Sequence, residues 1–193
     1  MLRDLIDRLG PPRPRRRPGG PPPDDHYGAL VRSIVGQQLS VAAARAIYSR
    51  LLERFGGRPP SPQEVLAADE EELRAAAGLS RAKVGFLRSL AEHVVAGELE
   101  LDRVARLADE EIVAELCAVR GIGEWSAHMF LMFHLERPDV LAVGDLGVRR
   151  AVERAYGLPD LPSADDMRAL GEPWRPHRTL ACRYLWRSLD NEP

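Results

Sequence analysis

Helix-start and helix-stop signals follow one another so closely in this chain that a packing of short helices is the architecture they permit. Asp24 or Asp25 is placed to cap a helix through about Val35. Ser40 is placed to cap VAAARAIYSRLLERF, whose Ala43, Ile47, Leu51 and Phe55 recur at helical spacing before Gly56-Gly57 stops it. Ser61-Pro62-Gln63-Glu64 joins a capping box to a proline at the first helical position. A short helix spans Asp69 to Ala77 and ends at Gly78, Ser80 caps RAKVGFLRSLAEHVVAG, and Asp109 is read as the cap of EEIVAELCAV. Further helices follow a Gly-Ile-Gly turn and Asp145, one starts near Ser163, and the last is expected from about Arg175 to Leu189. No alternating strand pattern and no fixed-period repeat breaks the series, so the expected class is all-α.

The remaining bulk properties narrow the function classes. No apolar run is long enough to span a bilayer, and the N-terminal MLRDLIDRLG carries charges inside its apolar pattern, unlike a secretory signal. The two cysteines, Cys117 and Cys182, are too few for a disulfide framework, a four-thiolate zinc site or a four-cysteine iron–sulfur site, and a reducing cytoplasm is expected. The segment PPRPRRRPGGPPP at Pro11–Pro23 has no apolar residue to bury and reads as a linker after an N-terminal helix. The net charge of −2 disfavours a general nucleic-acid coat, but its distribution is uneven. Pro173 to Leu189 holds four arginines, one histidine and no acid, while Glu64 to Glu115 is rich in Asp and Glu. One basic face for a polyanion fits this distribution, and so does a scatter of charges over solvated helices.

Four groups of residues carry possible chemistry, each with a structural alternative. In LCAVRGIGEWSA, Gly121, Ile122 and Gly123 separate two helices. Glycines and the N–H groups of a starting helix together suit a phosphate oxygen, while a tight turn with Ile122 in the core explains the same residues. In AVGDLGVRR, Asp145 is an ordinary N-cap, and the same helix amides that it would cap would stabilise an ionised carboxylate. Such an acid suits a developing cation and an attacking water better than it suits proton donation. Trp125, Trp174, Tyr184 and Trp186 gather in or near the basic C-terminal half, either as core or as faces for a flat, electron-poor ring. The paired glutamines of SIVGQQLSV stand either in an interhelical turn or where side chains project into a cleft or groove.

Taken as a set, these segments resemble the helix–hairpin–helix DNA base-excision glycosylases. LxxVRGIGEWSA is followed by an Asp twenty residues after Trp125, and IVGQQLSVAAA, GLSRAKVGFLRSLA, RPDVLAVGDLGVRR and PWRPHRTLACRYLW occur in the family's order from about Asp24 to Leu189. The match is nearest to the alkylation-repair branch, the DNA-3-methyladenine glycosylase II type. The resemblance implies the helix–hairpin–helix glycosylase fold, with two helical subdomains flanking a cleft. One would cover about residues 40–135 with the hairpin at 119–125, the other 24–39 with 136–193. The N-terminal β-domain of larger relatives is not expected.

Carried over by residue, Asp145 matches the catalytic aspartate, and Trp125 and Trp186 match aromatic positions of the base pocket. Gly121, Ile122 and Gly123 match the DNA-holding hairpin, and the main-chain oxygens of Cys117, Val119 and Ile122 match its Na+ or K+ site. Gln38 matches the wedge that fills the gap left by a flipped nucleotide. Arg149 and Arg178 are the expected phosphate contacts. Relatives that cleave the strand carry a lysine where Trp125 stands, and the only lysine here is Lys83. The resemblance therefore implies a monofunctional glycosylase for alkylated bases in double-stranded DNA. It would be monomeric, free of an iron–sulfur cluster, without a required cofactor, and cytoplasmic (nucleoid-associated if bacterial). Two alternatives remain at this point: a non-catalytic helix–hairpin–helix module that binds damaged DNA, and a glycosylase for oxidised or mismatched bases.

Overall fold

The computed structural model describes residues 2–11 and 25–190, and every regular element among them is helical. The Pro/Arg linker lies almost wholly outside the described residues. The helices are α1 (Leu2–Leu9), α2 (His26–Gly36), α3 (Val41–Arg54), α4 (Pro62–Ala67), α5 (Glu70–Ala77), α6 (Arg81–Val95), α7 (Leu101–Val104), α8 (Asp109–Cys117), α9 (Glu124–Phe133), α10 (Leu146–Tyr156), α11 (Ala164–Gly171) and α12 (Arg178–Asp190), with a 3-10 turn at Glu172–Trp174 before the last. Among the described residues no helix is long and apolar enough to cross a membrane.

Local chemistry sets most of the boundaries. Asp25, Ser40, Asp69, Ser80 and Ser163 each accept a hydrogen bond from a backbone N–H in the first turn of the helix they precede. Ser61 and Glu64 form the full capping box, and Arg58 then grips Glu64 from outside, with Nη2 to Oε1 at 2.6 Å. Two boundaries depart from expectation. The cap of α8 is Ala108, which has no side chain to accept a first-turn N–H, with Asp109 as the first helical residue; Glu111 reaches back and accepts the Ala108 N–H at 3.1 Å. The last helix starts at Arg178 rather than about Arg175. Arg175 precedes Pro176, which excludes it from helical backbone, and it sits at φ −59°, ψ 143°.

The chain divides into two compact units, Met1–Arg15 with Leu131–Pro193, and Arg16–Phe130. This differs from the expected grouping at both ends. Residues 25–39 belong with the hairpin-bearing unit, because Leu30, Val31, Ile34 and Val35 of α2 are buried where α2 packs on α3 and α6. The N-terminal helix belongs with the C-terminal unit. Leu5 is buried there, and the carbonyls at the end of α1 accept from α12: Tyr184 Oη donates to Gly10 at 3.1 Å and Arg187 Nη2 to Leu9 at 2.6 Å. In that same unit, α10 packs along α12 through buried Val148, Ala151 and Val152 on one side and Ala181 and Leu185 on the other.

Candidate active site and nucleic-acid interface

In the Arg16–Phe130 unit, the end of α2 and the turn before α9 are built together. The chain leaves α8 at Cys117 and turns back on itself, with the Val119 N–H bonded to Leu116 O and the Ile122 N–H to Val119 O, both at 3.1 Å. Val119 and Ile122 are buried and pin the turn to the core. Gly121 has φ +93°, and a Cβ there would fall on the ring of Phe86 from α6, so glycine is required both by backbone and by space. Gly123 is outside the left-handed region and would carry a Cβ into open space. Its carbonyl accepts the Ala127 N–H at 3.0 Å, which makes it the residue that starts α9, and it brings no side-chain acceptor to that start. Trp125 follows in the first turn, 40% exposed.

The paired glutamines have separate jobs. Gln37 turns inward, its Nε2 donating to Gly121 O at 2.8 Å and to the buried Ser126 hydroxyl at 3.1 Å. Gln38, the expected wedge, points outward and is exposed at φ +56°, a conformation that costs a non-glycine residue energy. The interhelical-turn reading therefore holds for Gln37, while Gln38 is simply exposed to solvent. Lys83 of α6 closes the end of α2, its ammonium donating to Val35 O at 2.7 Å and Gln37 O at 2.9 Å. Burial there pushes its pKa down.

In the unit that holds Leu131–Pro193, Asp145 is the N-cap of α10, and its Oδ1 accepts the Val148 N–H at 2.8 Å. The same oxygen accepts the indole N–H of Trp186 from α12, also at 2.8 Å. The Trp186 ring lies 5.7 Å from that of Phe133, tilted by 30°. Gly147 faces this contact, since a Cβ there would stand 3.1 Å from Asp145 Oδ1 and 3.1–3.2 Å from the indole.

The loop that delivers Asp145 is clamped to the start of α12. Asp139 Oδ1 accepts from Arg178 Nε at 2.8 Å, and its Oδ2 accepts from Arg175 Nη1 at 2.7 Å and Arg178 Nη2 at 3.0 Å. Arg178 Nη2 also reaches Asp139 O at 2.6 Å. Thr179 completes the clamp, donating its hydroxyl to Arg137 O at 2.7 Å and accepting the Val140 N–H at 3.0 Å. Burial raises the Asp139 pKa, but the hydrogen bonds of Arg178 and the charges of both arginines outweigh it and hold the carboxyl below its usual range.

This geometry corrects the expectation for Arg178. Its side chain is 15% exposed and bonded to Asp139, so it organises the Asp145 loop instead of reaching for phosphate. Arg149 is also anchored, with Nε on Pro162 O at 2.8 Å. Trp186, expected as an aromatic face for the base, is bonded to Asp145 through its indole N–H. Gln37, Phe133, Asp139 and Gly147 were not among the expected site residues. Only the QQ pair carried any local signal; the others act through partners distant in sequence.

A chain with this hairpin, and with an acid placed after it at the start of a helix, has the parts of a base-excision repair protein. Residues 31–176 match the HhH-GPD superfamily of base excision DNA repair proteins, and the chain belongs to that family. It is 34% identical over 186 residues to DNA-3-methyladenine glycosylase 1 of Schizosaccharomyces pombe, covering 95% of this chain and 80% of that one. The solved S. pombe Mag1 in complex with abasic DNA superposes with a TM-score of 0.85 at 33% identity, over 97% of this chain and 90% of that chain. A putative DNA-3-methyladenine glycosylase of Bacillus subtilis is 31% identical over 85% of this chain, which spans 59% of that relative's length.

Proposed function

We propose that this protein is a monofunctional DNA glycosylase that removes alkylated bases such as 3-methyladenine from double-stranded DNA and leaves an abasic site. The observation that carries this reading is the Asp145 carboxylate, held on Oδ1 by two N–H donors beside an aromatic ring, in a chain whose relatives bear the name DNA-3-methyladenine glycosylase.

The chemistry follows from the charge of the leaving group. An N3-alkylated adenine is cationic, so the C1′–N bond breaks with its electron pair passing to a base that leaves neutral. No proton donor is needed for that step, and an ionised carboxylate is the group the sugar requires. Asp145 would stabilise the oxocarbenium character at C1′ and help a water add there, releasing a proton. The half-buried Trp186 offers an aromatic face next to the acid, and a cationic ring is attracted to such a face; Trp125, exposed in the first turn of α9, is the other aromatic residue the resemblance assigns to the base. Turning the nucleotide out of the stack is easiest where damage has weakened pairing or stacking. The N–H groups at the start of α9 would take a DNA phosphate, and Gln38, which is exposed, would fill the vacated stack.

An alkali cation, if one binds at the hairpin, would be held by the main-chain oxygens of Cys117, Val119 and Ile122. Cys117 closes α8 at the negative end of its dipole, and the Val119 carbonyl accepts one hydrogen bond and keeps a second lone pair. The reaction would stop at base removal. Trp125 cannot form a Schiff base, and the single lysine is engaged by two carbonyls.

The test is a base-release panel on duplexes that each carry one defined lesion, with Asp145→Asn as control. Release of 3-methyladenine that leaves alkali-labile but unnicked strands is expected. Release of only oxidised or mismatched bases, or tight binding to abasic-site DNA with no release from any lesion, overturns the reading.

A further inference from the structure

Asp145 needs one donor to serve as a helix cap, and the Val148 N–H provides it. The second donor on the same oxygen comes from Trp186, forty-one residues on, and contributes nothing to capping α10 that the first does not. Two donors on one oxygen fix the rotation of the carboxylate as well as its position. The contact also needs a gap. At Gly147 a Cβ would crowd Asp145 Oδ1 and the indole at once, at 3.1–3.2 Å. Gly147 lies inside α10 with an ordinary helical backbone, where alanine is the better helix former. Glycine at this position is therefore explained by the indole and the carboxylate, not by the helix. Phe133 supports the indole at 5.7 Å between ring centroids.

We propose that Trp186 is a positioning residue for the hydrolytic step, with Gly147 as the gap that admits its N–H to Asp145. This rests on the reading of Asp145 as the hydrolytic acid. It also bears on selection. Tryptophan has a single polar donor, and here Asp145 takes it, so Trp186 meets a base through its ring and not through a hydrogen bond. A base chosen by its positive charge suits such a surface; one chosen by donor–acceptor pattern does not.

The experiment compares single-turnover release of 3-methyladenine with the dissociation constant for an abasic-site duplex. The proteins are the wild type, Trp186→Phe, Gly147→Ala, Asp145→Asn, and a protein with Trp186 replaced by benzothienylalanine, which keeps the bicyclic shape and has sulfur in place of N–H. Loss of a hydrogen bond to a charged group should slow release about ten- to a hundredfold in the benzothienyl and Phe proteins. Duplex affinity should stay within about twofold, as expected for an interaction outside phosphate binding. Gly147→Ala should slow release similarly, because its methyl displaces the indole from Asp145. A benzothienyl protein with wild-type release, alongside an inactive Asp145→Asn, overturns the positioning role and leaves Asp145 as the acid. A wild type that releases no alkylated base overturns the reading of Asp145, and the positioning role with it. If Trp186→Phe fails to fold, the benzothienyl protein decides.

Discussion

The starts of α9 and α10 pose the same physical problem: each exposes backbone N–H groups that the helix itself cannot satisfy. At α9 the preceding residue is Gly123, which has no side chain with which to accept, and open space lies beside it. At α10 the preceding residue is Asp145, and the chain supplies its own anion, fixed further by Trp186. One start leaves room for an anion brought from outside; the other already carries an anion of its own, which the proposed function sets against a developing cation. The difference lies in one side chain and its neighbours, and under the proposed function it would separate gripping DNA from breaking a bond in it.

The largest expected effect tests the α10 side of that contrast. Asparagine can still accept the Val148 N–H and the indole N–H, so Asp145→Asn should keep the cap and leave the melting temperature nearly unchanged. It removes the negative charge, and base release should fall by about a thousandfold, the scale of losing an electrostatic contact to a transition state. Single-turnover release beside a thermal melt measures both. An Asn variant with wild-type release would reduce Asp145 to a cap and erase the contrast.

The α9 side is tested by its two glycines. Gly121→Ala forces alanine to φ +93° and drives its methyl into Phe86, and should destabilise by about 2 kcal/mol or more while weakening binding to abasic-site DNA. Gly123→Ala meets neither obstacle and should alter stability by less than about 0.5 kcal/mol. Its effect on affinity is then a clean reading of how closely DNA approaches. Equal affinities for wild type and Gly123→Ala would mean that no phosphate comes near the start of α9.

The Asp139 clamp supports the acid from behind, and its effect depends on pH. In the folded protein Asp139 titrates below its usual range, so its contribution is present above about pH 4 and is lost as pH falls through the lower folded value. Asp139→Asn should cost about 2 kcal/mol at neutral pH and flatten the decline in stability below pH 4. Urea melts at pH 7 and pH 3 measure this. An unchanged gap between wild type and variant at the two values would show that the charge of Asp139 plays no part.

What was legible in the sequence tracks how local its cause is. Ser40, Asp69, Ser80 and Ser163 bond to N–H groups three residues away, so their helices could be placed from the residues alone. Asp109 was off by one because Glu111 reaches back to a cap residue with no side-chain acceptor. The role of Arg178 was hidden because its partner, Asp139, lies thirty-nine residues earlier, and a basic run cannot show which of its charges is already paired. Gln37 and Gln38 are the same residue type side by side; a backbone reversal with φ +56° at the second sends one inward and the other to solvent. Gly147 looked like any glycine near a turn, and only the indole arriving from α12 explains it.

The smallest expected effect concerns Lys83, and it bears on which end of the molecule does chemistry. A Schiff base needs an amine, and the only lysine here donates to Val35 O and Gln37 O at the end of α2. Gln37 in turn holds Gly121 O, so Lys83 acts on the hairpin through two hydrogen-bonded steps. Lys83→Met keeps the aliphatic stem and removes the donor, and should cost about 1 kcal/mol, the usual net value of such bonds at a partly exposed site. Base release should fall by no more than a few fold, and the product should remain an unnicked abasic strand. Borohydride treatment during turnover should trap no covalent complex at Lys83 in the wild type. A trapped adduct that disappears in Lys83→Met would give the hairpin unit a covalent role and overturn the division between a start that grips and a start that reacts.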